Sequence, residues 1–307
     1  MSYTRLSKRP LIFKSFTGLE TAEFDIISKE IELKYYEHER KRLSNRKRQR
    51  DVGAGRPFKL KLRERFLMLL VYYRLYITYT LSGFLFDLDQ SNVYRDISML
   101  EPLIKLCVPL PKKLYRRIKG RLRTIDEVEE YFPGFKAFVD STEQEIPRPT
   151  KNKRRRKSYY SGKKKKHTVK TQYMVNSEGA ILHKTGHKHG RIHDYEIFKN
   201  NHPITPMQVE SVFDLGYMGV QNDFPTVKSV LPVRKNKQRE LSNEEKKYNR
   251  KHSKLRLIVE HTISRIKKFG IMGTKFRNRL GRYDHASDIV SGLVNFRIMM
   301  RTNDAFL

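Results

Sequence analysis

The sequence predicts an α/β protein in which an all-α segment precedes a region that contains a β-sheet. Apolar residues recur at spacings of three and four through residues 60–106, which is the pattern of buried helices. Residues 135–182 contain runs of β-branched and aromatic side chains separated by turn residues, which indicates three strands in a meander. An amphipathic helix follows at 253–268 and ends at Gly270.

Charge dominates the composition. The 307 residues include 65 Lys and Arg against 33 Asp and Glu, a formal net charge of +32. Such an excess calls for a polyanionic partner, with nucleic acid as the first candidate and an anionic membrane as the second. No apolar run approaches the ~18 residues needed to cross a bilayer, and residues 1–10 lack the pattern of a secretory signal. The single cysteine, Cys107, excludes internal disulfides and cysteine-rich zinc fingers and fits a reducing cytosol.

The first 57 residues are predicted to form a helix and a basic linker. Residues 21–36 have helical spacing and lead into basic runs at 40–42 and 46–48. These runs fit a solvated linker and a nucleic-acid contact about equally well. Gly53, Gly55 and Pro57 then mark a boundary.

Residues 58–111 form the second predicted domain, which resembles a helix-turn-helix. Thr78 is suited to cap a short helix, and Asp89 is suited to cap the next one, from about Ser91 onward. Polar residues at the start of that second helix would face a major groove, although a plain helical bundle stays open as an alternative. The candidate DNA contacts are Ser91, Asn92, Tyr94 and Arg95.

Residues 112–307 form the third predicted domain. Its first part, 112–134, is expected to be a connector with one helix at 125–131. Two acids then follow apolar runs, Asp140 after 135–139 and Asp214 after 209–213. A single Asp at a strand end is most often a turn residue. Either acid therefore indicates a functional site only if the rest of the chain supplies partners for it. A further short strand is expected at 227–233.

The densest positive charge lies between the first two strands. Twelve Lys or Arg and no acid occur from Arg148 to Lys170, interleaved with Tyr159 and Tyr160. Such a block is normally solvated, but here it joins two strands beside Asp140, where it would attract a phosphate backbone. The candidate DNA contacts in it are Arg154, Arg155, Arg156, Lys157, Lys163, Lys164, Lys165 and Lys166.

A cluster of histidines follows the meander. No cysteine accompanies them and glycines interrupt any helix there, so the pattern disfavours structural zinc and favours phosphate or loop contacts. Asp194 is expected to cap a helix at 195–200. The four histidines are His183, His187, His189 and His193.

The helix at 253–268 carries an acid between two cations. Arg256, Glu260 and Lys267 fall within about 40° of one another on one face. An ordinary exposed Arg–Glu pair would explain Arg256 and Glu260 equally well. Two strand-end acids with this third one nevertheless suit phosphoryl transfer by two metal ions. The apolar residues on the neighbouring face are Leu255, Val259, Ile263 and Ile266.

Five segments together resemble the DDE transposases of bacterial insertion sequences. They are 140–149, 160–170, 190–194, 214–219 and 256–267, the last with the spacing Arg-x3-Glu-x6-Lys. The resemblance covers nearly the whole chain, including residues 53–57 and the helices after them. It implies an RNase H-like mixed sheet flanked by helices, preceded by a small all-α helix-turn-helix domain.

The resemblance also implies a function. The expected protein binds terminal inverted repeats in double-stranded DNA, nicks the element ends and joins 3′-hydroxyls to a target. It would act as a homodimer in the synaptic complex and be associated with the nucleoid in the bacterial cytoplasm. Asp140, Asp214 and Glu260 would hold two Mg²⁺ ions, for which Mn²⁺ would substitute, and Arg256 and Lys267 would contact phosphates. The alternatives are a DNA-binding protein with an inactive transposase fold and an RNase H-like nuclease that does not join strands.

Overall fold

A computed structural model of the chain describes residues 1–44, 57–122, 124–150, 152–201, 203, 205–235 and 240–302. They form two compact units. Unit 1 runs from Met1 to Pro109 and includes Lys268–Gly273 and residues from Asp288 onward; unit 2 comprises Leu110–Lys267 and Thr274–Ser287. The predicted subdivision at 57/58 stays a prediction.

Unit 1 is helical. The helix predicted at 21–36 is confirmed and continues to Ser44, whereas the predicted basic run at 46–48 and the break at Gly53 and Gly55 lie outside the described residues. Its first six helices are α1 (Tyr3–Leu6), α2 (Pro10–Thr17), α3 (Thr21–Ser44), α4 (Leu62–Leu75), α5 (Tyr79–Phe86) and α6 (Gln90–Cys107).

Aromatic stacking joins the N-terminal helices to α4. The ring of Phe24 on α3 stacks on Phe66 of α4 at 4.9 Å and meets Phe13 of α2 edge-on at 5.3 Å. Buried beside this core, Arg65 lies 3.1 Å from the carboxylate of Asp96, which fixes α4 against α6. The net stability that such a buried pair supplies is small, because the cost of removing two charges from water offsets their attraction.

Unit 2 contains the sheet, and the predicted α/β class with a mixed sheet flanked by helices is confirmed. Three antiparallel strands precede two parallel ones in the order β2-β3-β1-β6-β7, and β4 and β5 also pair with β3. The strands are β1 (Lys136–Glu145), β2 (Tyr160–Ser161), β3 (Lys166–Asn176), β4 (Ile181–Lys184), β5 (Lys188–His189), β6 (Glu210–Val212) and β7 (Ser229–Val230).

Helices flank this sheet, and α12 packs on both β1 and β3. The last helix, α14, begins in unit 2 and continues into unit 1. The remaining helices are α7 (Pro111–Arg121), α8 (Ile125–Tyr131), α9 (Lys153–Tyr159), α10 (Asp194–Asn201), α11 (Val220–Asp223), α12 (Asn243–Lys267), α13 (Gly270–Gly273) and α14 (Tyr283–Thr302).

Four predictions about unit 2 were wrong. The predicted connector at 112–134 contains α7 in addition to the expected α8. Strand β1 does not end at Asp140 but runs five residues beyond it, because β3 supplies partners for its polar half, such as Lys170 opposite Glu143. The strand expected at 227–233 is only two residues long, and the helix expected from 253 begins ten residues earlier.

None of the helices in the described residues is long and apolar enough to cross a bilayer.

Candidate active site

Strand pairing brings Asp140 and Asp214 together. Strands β1 and β6 are parallel, with Phe138 opposite Val212. The same register continued by two residues places Asp140 beside Asp214, which follows the end of β6 and caps a short 3₁₀ turn through the Leu215 N–H at 2.7 Å. The parallel pairing of β1 with β6 therefore brings the two acids of the sequence prediction together, although only Asp214 lies at a strand end.

Arg256 on α12 joins these two acids. Its Nη2 lies 3.3 Å from Oδ2 of Asp140, and its Nη1 lies 3.3 Å from Oδ1 of Asp214. The guanidinium side chain is 13% exposed, against 20% for Asp140 and 49% for Asp214. One cation therefore pairs with two carboxylates, and its pair with Asp140 is less screened by water than its pair with the half-exposed Asp214.

The carboxyl of Asp140 is the most perturbed acid of this group. Burial raises its pKa to about 6, because water no longer stabilises the charged form. Arg256 and the Ser141 N–H, which donates to Oδ1 at 2.8 Å, lower the pKa, whereas the nearby carboxylates of Asp214 and Asp194 raise it. Titration of an acid close to neutrality is typical of functional sites.

The third predicted acid does not join the other two. Helix α12 buries its side chains at His252, Val259, Thr262, Ile263 and Ile266 against the sheet, and Glu260 lies on the exposed side. In the described residues, no group of three or more His, Cys, Asp or Glu side chains is placed to hold a metal ion. Leu255, expected on the apolar face, is 36% exposed. The assignment of Glu260 stays a prediction.

Lys267, at the end of α12, lies near the same acids. Burial lowers the pKa of its ammonium, and the nearby Lys164 lowers it further, whereas the carboxylates of Asp140 and Glu143 raise it. The ammonium of Lys267 is therefore influenced by two carboxylates and not by one ion-pair partner. It faces the same cleft as Lys164.

A second set of charges flanks Asp140 and was not predicted. The ammonium of Lys170 on β3 lies 3.6 Å from Glu143 of β1 and 3.1 Å from Asp194, which begins α10. Thr168 also donates to Glu143 at 2.8 Å. Asp194 was expected to precede and cap the helix, but it is the first helical residue and its carboxylate turns to Lys170. The cross-strand pair Glu143–Lys170 becomes visible in the sequence only once the register is known.

A buried hydrogen-bond network links the segments that carry the two acids. The hydroxyl of Tyr217, three residues after Asp214, lies 3.0 Å from that of Ser141, one residue after Asp140. The amide of Gln172 on β3 donates to Tyr217 at 2.9 Å and to the backbone oxygen of Asp194 at 3.2 Å. Burial raises the pKa of the Tyr217 phenol, so the neutral hydroxyl is the form that holds this network.

The basic block lines a cleft beside the acids. The cleft has a volume of about 1080 Å³ and extends from Ser141 and Glu143 to Asp194. Of the predicted DNA contacts, Arg156, Lys157, Lys163 and Lys164 line it, together with Arg148, Arg191 and Lys267. The others lie elsewhere: Lys166 pairs with Glu145 at 2.7 Å, Arg155 lies over the ring of Tyr159, and Arg154 and Lys165 are exposed.

The predicted contacts on α6 lie at its exposed N-terminal end. The expected caps are confirmed, since Thr78 accepts from Leu81 N at 3.1 Å and Asp89 accepts from Ser91 N at 2.8 Å. Ser91, Asn92, Tyr94 and Arg95 are all exposed, and Arg95 donates to Asn92 at 3.2 Å.

The four histidines have different surroundings. His183 on β4 is half-buried against Tyr115, and desolvation there lowers its pKa to about 4. His187 lies 2.8 Å from Asp284, and the ring of His189 meets Tyr159 edge-on. His193 lines the basic cleft.

Comparison with known proteins identifies the family. The model of the DDE superfamily endonucleases matches residues 139–295, just over half of the chain, and the model of the helix-turn-helix of DDE superfamily endonucleases matches 58–109. The chain belongs to the DDE superfamily of endonucleases. No solved structure matches. The probable transposase for insertion sequence element IS702 from Microchaete diplosiphon is 30% identical over 251 residues, which cover 80% of this chain and 84% of that protein.

The family model begins within β1 and includes both acids that Arg256 joins. The chain is thus a DDE transposase-type endonuclease with a helix-turn-helix DNA-binding segment, and its superfamily generally uses divalent metal ions. Asp140 and Asp214 fit such an ion, because both already gather around one cation and their oxygens are the hard ligands that it prefers.

Proposed function

We propose that this DDE-superfamily protein binds the terminal inverted repeats of its own element, nicks the DNA at the element ends and joins the 3′-hydroxyls to target DNA. The observation that carries the proposal is the pairing of Asp140 and Asp214 around Arg256, beside a basic cleft that is lined by the neighbouring residues Ser141 and Gly216. Carboxylates that collect a cation beside a surface suited to phosphates are what metal-assisted phosphoryl transfer requires.

The proposed metal ligands are Asp140, Asp214 and Glu260. These residues would hold two Mg²⁺ ions, and Mn²⁺ would substitute for Mg²⁺. Bound there, the ions supply a lowered pKa for the attacking water or 3′-hydroxyl and a positive charge at the leaving oxygen. Glu260 lies one helical turn from Arg256 on α12 and its side chain is exposed, so this ligand set requires the side chain to turn toward the two aspartates.

Arg256 has two successive roles in this proposal. It first neutralises Asp140 and Asp214, which otherwise repel each other across the sheet edge. With Asp140 and Asp214 engaged as ligands of a divalent ion, the guanidinium of Arg256 would be released to bind the phosphate next to the scissile bond. Lys267, the last residue of the same helix, binds a second phosphate close to Asp140 and Glu143.

DNA is held at two places in the proposal. The exposed start of α6, with Ser91, Asn92, Tyr94 and Arg95, reads bases of the terminal repeat. The cations of the basic block hold the backbone, as a net charge of +32 favours. Two copies act together in the synaptic complex, one on each element end, and the protein is associated with the nucleoid in the cytoplasm.

Strand transfer in a purified system tests the proposal. The full-length protein is incubated with labelled element ends, a supercoiled target plasmid and Mg²⁺ or Mn²⁺. Nicked ends and a joined end–plasmid product are expected. Nicked ends with no joined product at either metal would favour a nuclease, and intact ends with retained binding would favour a DNA-binding protein without activity.

A further inference from the structure

Helix α7 is an amphipathic helix in the segment that the sequence pattern predicts to be a connector. It begins at Pro111, whose fixed backbone angle suits the first helical position. Leu114 and Ile118 are buried, and the helix packs on β4, where the ring of Tyr115 lies 4.6 Å from that of His183. The apolar face of α7 is therefore fully used within unit 2.

The opposite face of α7 consists of cations. Five basic residues are exposed there, and the segment from Pro111 to Arg121 contains no acid. At about 100° per residue, Lys112, Arg116 and Lys119 fall within about 60° of one another and form a row of roughly 10 Å. A second row lies beside it. The five residues are Lys112, Lys113, Arg116, Arg117 and Lys119.

The three cations of the first row differ from those surface cations of unit 2 that have a carboxylate partner. Lys199 and Lys228 lie 2.8 Å and 2.9 Å from the carboxylates of Asp223 and Glu210. Within the part of the chain that the structure describes, no carboxylate lies within ion-pair distance of Lys112, Arg116 or Lys119. Cations four apart on a helix repel each other, and those in the first turn oppose the helix dipole. An external anion would relieve both effects.

We propose that the exposed face of α7 binds the sugar–phosphate backbone of double-stranded DNA. This face shares no residue with the start of α6 or with the basic cleft, and it adds a third DNA surface to the proposed function on which it rests. A row of three cations with no base-reading side chain beside it predicts binding without sequence preference. A membrane surface fits less well, because membrane-binding helices insert an apolar face, and here β4 already covers that face.

The salt dependence of DNA binding tests the proposal. In the full-length protein, Lys112, Arg116 and Lys119 are all changed to Gln, and binding to a labelled duplex of random sequence is measured by anisotropy from 50 to 200 mM salt without divalent metal. Each lost phosphate contact makes the negative slope of log K for association against log salt shallower by about 0.9. The magnitude of the slope is therefore expected to fall by about 2 to 3, with weaker binding at every salt concentration.

The matched control removes the same charge from cations that already have a carboxylate partner. Lys199, Lys228 and Lys235, which pairs with Glu240 at 3.6 Å, are changed to Gln together. The slope of this variant is expected to stay close to that of wild type. Equal slopes for the two variants would overturn the proposal, since the loss of net charge alone would then account for the weaker binding.

Two further measurements distinguish the proposed contact from a folding defect and from a membrane contact. Circular dichroism and the melting temperature of the α7 variant should match those of wild type, because all three side chains are exposed. The α7 variant is also tested for binding to vesicles of phosphatidylserine and phosphatidylcholine. If it lost vesicle binding that wild type shows, while its salt dependence of DNA binding stayed that of wild type, the face would be assigned to a membrane and the proposal overturned. Strand transfer by the wild-type protein is assayed separately. If wild type gave no strand transfer, the proposed function would fail, but the measured contribution of α7 to DNA binding would still stand.

Discussion

The hydroxyl of Tyr217 lies 3.0 Å from the hydroxyl of Ser141, 76 residues earlier in the chain. Each residue belongs to a segment that carries one of the two acids joined by Arg256. Gln172 donates to the same phenol at 2.9 Å, which makes the contact part of a buried network and not an isolated bond. Neutral hydroxyl and amide groups on the neighbouring residues therefore help to fix the separation of the two acids.

Tyr217→Phe tests this positioning role. The change removes the phenol that Ser141 and Gln172 share, while Gln172 keeps its bonds to Ser141 at 3.4 Å and to the backbone oxygen of Asp194 at 3.2 Å, so we expect a loss of about 1 kcal/mol of stability. We expect a folded protein with a lower melting temperature and nicking slower by on the order of tenfold. The Mn²⁺ concentration for half-maximal nicking should rise, which a purely structural defect would not produce. Tyr195→Phe, which removes an exposed hydroxyl bonded to Asp223, is the control.

Arg256→Gln separates the two roles proposed for Arg256. Without the guanidinium, Asp140 and Asp214 have no cation between them, so Mn²⁺ binding to the DNA-free protein should tighten by on the order of tenfold. Nicking should fall at the same time, because the phosphate contact is lost. Calorimetry and the nicking assay measure the two effects. Arg250→Gln, an exposed change on the same helix, should alter neither, and weaker Mn²⁺ binding by the Arg256 variant would contradict the first role.

The raised pKa of Asp140 predicts how stability depends on pH. The folded protein holds this proton up to about pH 6, whereas the unfolded chain releases it near the ordinary value of about 4. The folded state therefore binds more protons in between, and the contribution of Asp140 to the free energy of unfolding falls as pH rises from about 4 to about 6.

Urea unfolding of metal-free protein checks this sign. Asp140→Asn lacks the titrating group, so wild type should lose stability relative to the variant over that interval, by on the order of 1–3 kcal/mol. Parallel pH curves for the two proteins would show that Asp140 titrates normally.

The choice of third acid can be tested against its strongest competitor. Glu260→Gln should abolish nicking while DNA binding is kept, if Glu260 completes the ligand set. Asp194→Asn should reduce nicking less, because its carboxylate is engaged by Lys170 at 3.1 Å. Glu244→Gln, an exposed acid in the first turn of the same helix, should be neutral. Full activity of the Glu260 variant together with an inactive Asp194 variant would reverse the assignment.

The start of α6 should carry sequence discrimination. Arg95→Ala is expected to weaken binding to the terminal repeat by about 1–3 kcal/mol while random DNA is bound nearly as before. Lys105→Ala, at the far end of the helix and paired with Asp288 at 2.7 Å, should leave the preference unchanged. An equal loss on both DNA sequences would mean that Arg95 contacts only phosphate.

Local chemistry decided which elements were predictable from the sequence. Thr78 and Asp89 cap their helices as expected, because a cap depends on a few neighbouring residues. Pro111 fits the end of a helical unit, but proline is equally suited to a first helical turn, so α7 was missed. The early start of α12 did have a signal: Ser242 and Glu245 form reciprocal side-chain bonds with each other's backbone.

Contacts between distant segments were not predictable. The acids Asp140 and Asp214 were found, but their common partner Arg256 depends on how α12 packs on β1. In the same way, the ion pairs of Lys170 with Glu143 and Asp194 need the register of β1 with β3 and the start of α10. Charge patterning alone assigned Lys170 to the basic block.

The course of β1 through the site has a consequence for how copies of this gene lose function. Asp140 lies in the middle of a ten-residue strand that is paired with β3 along nine positions and with β6 at its start. A deletion or insertion of one codon near Asp140 would turn a neighbouring side chain toward Arg256 and Asp140 away from it. Such in-frame changes in β1 should therefore inactivate a copy in one event.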